Sequence, residues 1–136
     1  MRSVTRVWDP NTKLLRVALL VDAVVFLGAS LLNLGVQVPL GVVTLRFADP
    51  IWQAGTGEAV IGMALLAAGL RGRTRLAWVA FWMSVLGIAI GLSSPRVQGA
   101  ARDLHAVMVP LAIVVLALLL QARRRPRATS THAEGT

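Results

Sequence analysis

At 136 residues, 56% hydrophobic and only 15% charged, with a mean hydropathy of +0.69, the chain lies far to the apolar side of soluble domains. It has material for four membrane spans of roughly 20 residues each and none for a soluble catalytic domain. The absence of cysteine excludes disulfides, thiol relays and cysteine-ligated zinc or iron–sulfur centres, and the net charge of +8 has to be read from where the basic residues sit.

Residues 1–13 are expected to be a short N-terminal segment, followed by a four-span membrane domain over 14–122. The first span, 14–36, is longer than the ~7–15-residue core of a signal peptide, contains Asp22 and is followed by no small-residue cleavage pattern, so it is expected to stay as a span. Asp22 falls eight residues in, about 12 Å from the start at 1.5 Å per residue. No basic side chain is expected at that depth, so Asp22 is expected to be uncharged or hydrogen-bonded across helices. Asn33 follows at nearly the same helical angle, so one face reads Asp22, Phe26, Ala29, Asn33.

The connection 37–51 is not plainly polar. Val43-Thr44-Leu45-Arg46-Phe47 alternates with period two, which fits a hairpin over the mouth of the bundle as well as an interfacial helix. The second span, 52–70, carries Glu58 near its start, with Gly62, Leu65 and Gly69 below it on one face. The third, 76–92, carries Gly87 and Gly91, a GxxxG pair of the type that lets helices approach closely. Pro95 follows and limits it. Trp78 and Trp82, four apart beside Phe81, read first as packing or lipid contacts and alternatively as a stacking platform for a quinone-like ring. The fourth span, 104–121, opens with His105 and contains Pro110, which predicts a kink where one backbone hydrogen bond is lost. Met63, Met83 and Met108 read as core filler. Residues 123–136 form a basic tail whose Ser, Thr and Gly content predicts disorder.

The basic residues set the orientation. Eleven of 14 fall in the N-terminal segment (Arg2, Arg6, Lys13, Arg16), the link between spans two and three (Arg71, Arg73, Arg75) and the tail (Arg123, Arg124, Arg125, Arg127), leaving Arg46, Arg96 and Arg102 for the opposite side. Lysine and arginine near span ends stay on the cytoplasmic side. The expectation is an all-α, integral membrane four-helix bundle with both termini cytoplasmic, in a bacterial inner membrane. The arginines serve topology and anionic lipids, and nucleic acid is not expected as a partner.

An ionisable side chain within a span costs about 2.5–3.5 kcal/mol or more, so each needs a partner or a purpose. Glu58, Asn33, Gln53 and His105 are expected near one level of the bundle, where they can converge on a pocket facing outward. One reading is a polar knot that fixes helix register. The other is acid–base chemistry on a lipophilic molecule, with Glu58, Asp22 and His105 as candidate catalytic residues and Asn33, Gln53, Trp78 and Trp82 as candidate contacts to it. Glu58 and His105 supply two metal ligands without a clear third, so no metal site is expected, and a cofactor is left open.

The run from Glu58 through Gly62, Leu65-Leu66, Gly69-Leu70-Arg71 and Arg75 to Ala77 resembles the second helix and following turn of the DoxX-like membrane proteins. These small four-span proteins include subunits linked to thiosulfate:quinone oxidoreduction, membrane oxidoreductase complexes and assembly roles. The resemblance implies that Glu58 is the family's helix-two carboxylate and Arg71 the arginine closing that helix. It also implies an accessory or scaffold subunit of a membrane complex, with a protein partner or a second copy bound in the membrane. On that reading Gly87 and Gly91 mark the face offered to the partner. The alternative from the residues is a small membrane enzyme, an isomerase, cyclase, hydrolase or quinone-linked protein, acting on a lipophilic substrate. A third reading is a proton-coupled small exporter, because Asp22 sits where small multidrug-resistance exporters carry a carboxylate in helix one.

Overall fold

The computed structural model describes residues 10–47 and 50–124. Arg2, Arg6, Arg125 and Arg127, and the tail expected to be disordered, lie outside the described residues. Four helices, α1 (Pro10–Asn33), α2 (Trp52–Arg71), α3 (Thr74–Ser93) and α4 (Ala100–Arg124), are joined in chain order, with a two-stranded hairpin, β1 (Val38–Leu40) and β2 (Val43–Leu45), between the first two. All four helices are long and apolar enough to cross a membrane. Each packs mainly on its neighbours in a ring that α4 closes against α1.

The core is built from one stripe of each helix, with Leu19, Phe26, Leu65, Met108, Val115 and Leu119 almost wholly enclosed. Large aliphatic side chains such as Val24, Leu86 and Ile113 point outward, as expected of helices whose outer faces meet hydrocarbon. Met108 fills the core, as expected, whereas Met63 is exposed and Met83 only partly buried.

The most extensive interface, between α1 and α2, has a sequence-readable cause. Gly55, Gly62 and Gly69 recur every seven residues, and so do Leu34, Leu27 and Leu20 on the antiparallel α1. A Cβ placed on each glycine would lie 2.9, 2.7 and 2.9 Å from the facing leucine side chain. Each leucine thus seats in a notch left by a missing side chain, and the two backbones come close enough for the Ser30 hydroxyl to donate to the Gly55 carbonyl at 2.7 Å. Such a close approach is the kind of packing that holds helices together in lipid, where hydrophobic expulsion does not drive their association.

The boundaries differ from the sequence reading at the ends. The first helix stops at Asn33 rather than at 36, because Gly35 adopts φ +82°. The Gly35 N–H donates to the Leu32 carbonyl and the Val36 N–H to the Leu31 carbonyl, the double bond of a Schellman stop. The opposite end of α2 is closed from outside: Arg16 donates from Nε to the Gly69 carbonyl at 2.8 Å and from Nη2 to the Leu70 carbonyl at 3.2 Å. These are among the carbonyls that a helix C-terminus leaves without intrahelical partners. One of the arginines read as an orientation signal therefore also caps a helix. Pro110 lies inside an uninterrupted α4.

Of the two shapes open for the 37–51 connection, the chain takes the hairpin, pairing Val38 with Leu45, Pro39 with Thr44 and Leu40 with Val43. The hairpin does not cover the bundle mouth as expected. Leu40, Val42, Val43 and Leu45 are all exposed, and none of them borders the bundle's large cavity.

Candidate functional site

The face of α1 read as Asp22, Phe26, Ala29 and Asn33 turns inward as a unit, each residue at most 1% exposed. Its two polar members meet different surroundings.

Asn33, on the last turn of α1, donates from Nδ2 to Glu58 Oε2 at 2.8 Å. The other carboxylate oxygen, Oε1, lies 3.2 Å from His105 Nε2 at the start of α4. His105 Nδ1 lies 2.7 Å from the Ala101 carbonyl. A carbonyl only accepts, so Nδ1 carries a hydrogen. The Nε2–Oε1 contact then has two forms, imidazolium against carboxylate or neutral imidazole against carboxylic acid. In each of these two forms the pair carries no net charge. The contact is within ion-pair reach but is not aligned as a hydrogen bond, so Oε1 retains unused hydrogen-bonding capacity, as does Asn33 Oδ1. Glu58 and His105 are 4% and 3% exposed.

The room for the imidazole comes from a glycine. A Cβ on Gly91 of α3 would fall 2.0 Å from His105 Cδ2 and 2.3 Å from Nε2, so any side chain there would push the ring off Glu58. Gly87, one turn earlier, faces Ile61 in the same way: a Cβ there would fall 2.5 Å from Ile61 Cδ1. This corrects the sequence reading of Gly87 and Gly91 as a face for a partner. The pair is turned into the bundle, and its smallness serves His105 and Ile61.

Glu58 and His105 border a cavity of about 650 Å³ between α2, α3 and the α3–α4 loop, within the ~300–1,000 Å³ typical of small-molecule sites. Its walls are mostly apolar, and Gln53, Ser94 and Arg96 are its other polar members. Val60, Leu86 and Ile90 both border it and are more than half exposed. The cleft is therefore open sideways between α2 and α3, on a flank that would face lipid.

The structure thus unites Glu58, His105 and Asn33 and places Gln53 on the same cavity. It does not bring in the other three candidates. Asp22 lies at the opposite end of that inward α1 face, eleven residues or about 16 Å from Asn33. Its only hydrogen bond among the described residues comes from the Ser84 hydroxyl at 3.5 Å, and its Oδ1 is unpartnered. It does not border the cavity, so the fold does not bring Asp22 and Glu58 to one centre. Trp78 and Trp82 pack edge-on against Phe81, with centroids 6.0 and 5.4 Å away, and border no part of the cavity. Among the described residues no group of three or more His, Cys, Asp or Glu could hold a metal ion. Sequence reasoning misses Arg96 and Gly91 as members of the site. Arg96 reads there only as a loop charge, and the one signal from Gly91 is a small residue on the helix preceding a histidine.

Compared with known proteins, the chain matches no family model, no curated protein and no solved structure. The site's geometry therefore carries the functional argument.

Proposed function

We propose that this multi-pass protein lies in a bacterial inner membrane with both termini cytoplasmic, and that it takes a lipophilic molecule from the bilayer into the cleft between α2 and α3. There the Glu58–His105 pair meets the molecule's polar group and exchanges a proton with it. The observation that carries the reading is a carboxylate and an imidazole 3.2 Å apart, both nearly sealed from solvent, on the wall of a mostly apolar cavity. Three features supply what acid–base chemistry needs. Asn33 fixes the carboxylate, the Ala101 carbonyl fixes the histidine tautomer, and Oε1 keeps unused capacity on a residue that borders the cavity. As a DoxX-like accessory subunit, the protein would offer the same cleft to the lipophilic substrate of a larger membrane complex.

The test is extraction in native lipid without detergent, followed by mass spectrometry of everything that co-purifies with wild type and with Glu58→Gln. The expected result is a recurrent lipophilic molecule present with wild type and depleted in the variant. Equal recovery from both, with Glu58→Gln correctly folded, overturns the role of Glu58. A stoichiometric protein retained by both, with no lipophile, would replace the proposal by the scaffold reading.

A further inference from the structure

The cavity's charge is uneven along its length. Among the residues that border it only Glu58, His105 and Arg96 are ionisable, and the first two form a pair that is neutral in either proton arrangement. With that pair in either of its neutral forms, Arg96 supplies the cavity's net charge. Among the described residues it makes no ion pair, and it stands at the rim in the loop that follows α3. Hydrogen bonds within that loop fix its shape. The Val97 N–H donates to the Ser94 carbonyl, the Arg96 N–H donates to the Ser94 hydroxyl, and Gln98 Nε2 donates to the Pro95 carbonyl. Val97, only 6% exposed, anchors the loop against the cavity.

Polarity falls along the helices, away from the α3–α4 loop. Gln53, Ser94 and Arg96 ring the mouth, His105 and Glu58 lie at the level of Gly91, and Ile61, Met83 and Leu86 line the far end. From Met83 to Ser94 the wall runs eleven residues, about 16 Å of helix. That is a rim cation, then a hydrogen-bonding level, then an apolar trough open toward lipid.

Building on the reading above, we propose that the molecule accepted is a membrane amphiphile with a monoanionic head group. Its carboxylate or phosphodiester pairs with Arg96, its next polar group meets His105 and Glu58, and its chain lies in the α2–α3 trough. Guanidinium pairs with either anion through two parallel hydrogen bonds. A head of zero net charge would bring the exposed Arg96 no counter-charge of its own, and a dianionic head would exceed what one arginine balances.

The test uses the full chain in nanodiscs of phosphatidylcholine doped, in separate arms, with oleate, oleyl alcohol or phosphatidylglycerol. The molecules retained on the protein are read by native mass spectrometry for wild type, Arg96→Gln, Arg96→Lys and Glu58→Gln. Oleate and oleyl alcohol share a chain and differ in charge, and oleate against phosphatidylglycerol separates a carboxylate from a phosphodiester source. Wild type is expected to retain at least one of the anions about tenfold over the neutral probes, Arg96→Gln to lose that preference and Arg96→Lys to keep most of it, in line with one charge-assisted contact. If wild type retains oleyl alcohol as well as the anions, or if Arg96→Gln keeps the preference, the anionic assignment fails. In that event loss of oleyl alcohol from Glu58→Gln would leave the broader cavity reading standing. Retention of no probe by wild type would overturn both.

Discussion

Asp22 and Glu58 are two carboxylates sealed almost equally from solvent, at 1% and 4% exposure, and the fold treats them differently. Glu58 has an amide on one oxygen, an imidazole on the other and a cavity beside it. Asp22 has, among the described residues, a single long hydrogen bond from Ser84, and it does not border that cavity. Burial alone therefore does not distinguish the two acids. What separates the two is a partner that can share the proton and a path by which another molecule can reach it. Asp22 has the enclosed position that a proton-coupled exporter would need, but no described route connects it to the Glu58 site.

The comparison breaks most sharply at Glu58 itself. Glu58→Ala strands His105 Nε2 and Asn33 Nδ2 in the interior, and removing one partner of a buried pair costs about 3–5 kcal/mol. Thermal unfolding of the purified protein in detergent should show the largest loss of any single change at the site. The notched α1–α2 interface comes next. Gly62→Ala drives a methyl into Leu27, and overpacking of this kind costs about 1–3 kcal/mol, readable by the same unfolding assay with no need of a ligand.

Gly91→Ala carries a similar cost of about 1–3 kcal/mol but should in addition lift His105 off Glu58. It is expected to lower ligand retention, whereas Gly62→Ala, at matched loss of stability, retains it. Gly28→Ala serves as the control, since its added methyl meets nothing within 4 Å and the residue does not border the cavity. It should be neutral or stabilising by up to about 1 kcal/mol through helix propensity.

The smallest effect is expected at Asp22. Asp22→Asn keeps a group able to bond Ser84 and removes an acid that has one weak partner, so stability should change by no more than about 1 kcal/mol, and retention of the amphiphile should not change. A loss from Asp22→Asn as large as that from Glu58→Ala would erase the distinction between the two acids and restore the exporter reading.

Much of this architecture is legible in the order of residues. Hydropathy and span length dictate four long apolar helices, because burying backbone polar groups in lipid leaves few alternatives to a helix. The period of Asp22, Phe26, Ala29 and Asn33 dictates which face of α1 turns inward, since the angle per residue is set by helix geometry. Polar residues placed near one end of their spans make the meeting of Glu58, Asn33 and His105 foreseeable. Packing in three dimensions had to settle that Gly87 and Gly91 face inward, because a small residue permits close approach on either side of a helix and names no partner. It also placed Arg96 on the cavity rim, since a loop arginine has no periodicity to locate it, and set the tryptophans apart from the site. Local pattern specifies what each helix presents. Which presented groups share a cavity depends on how the helices are ordered around the ring and how closely each pair can approach.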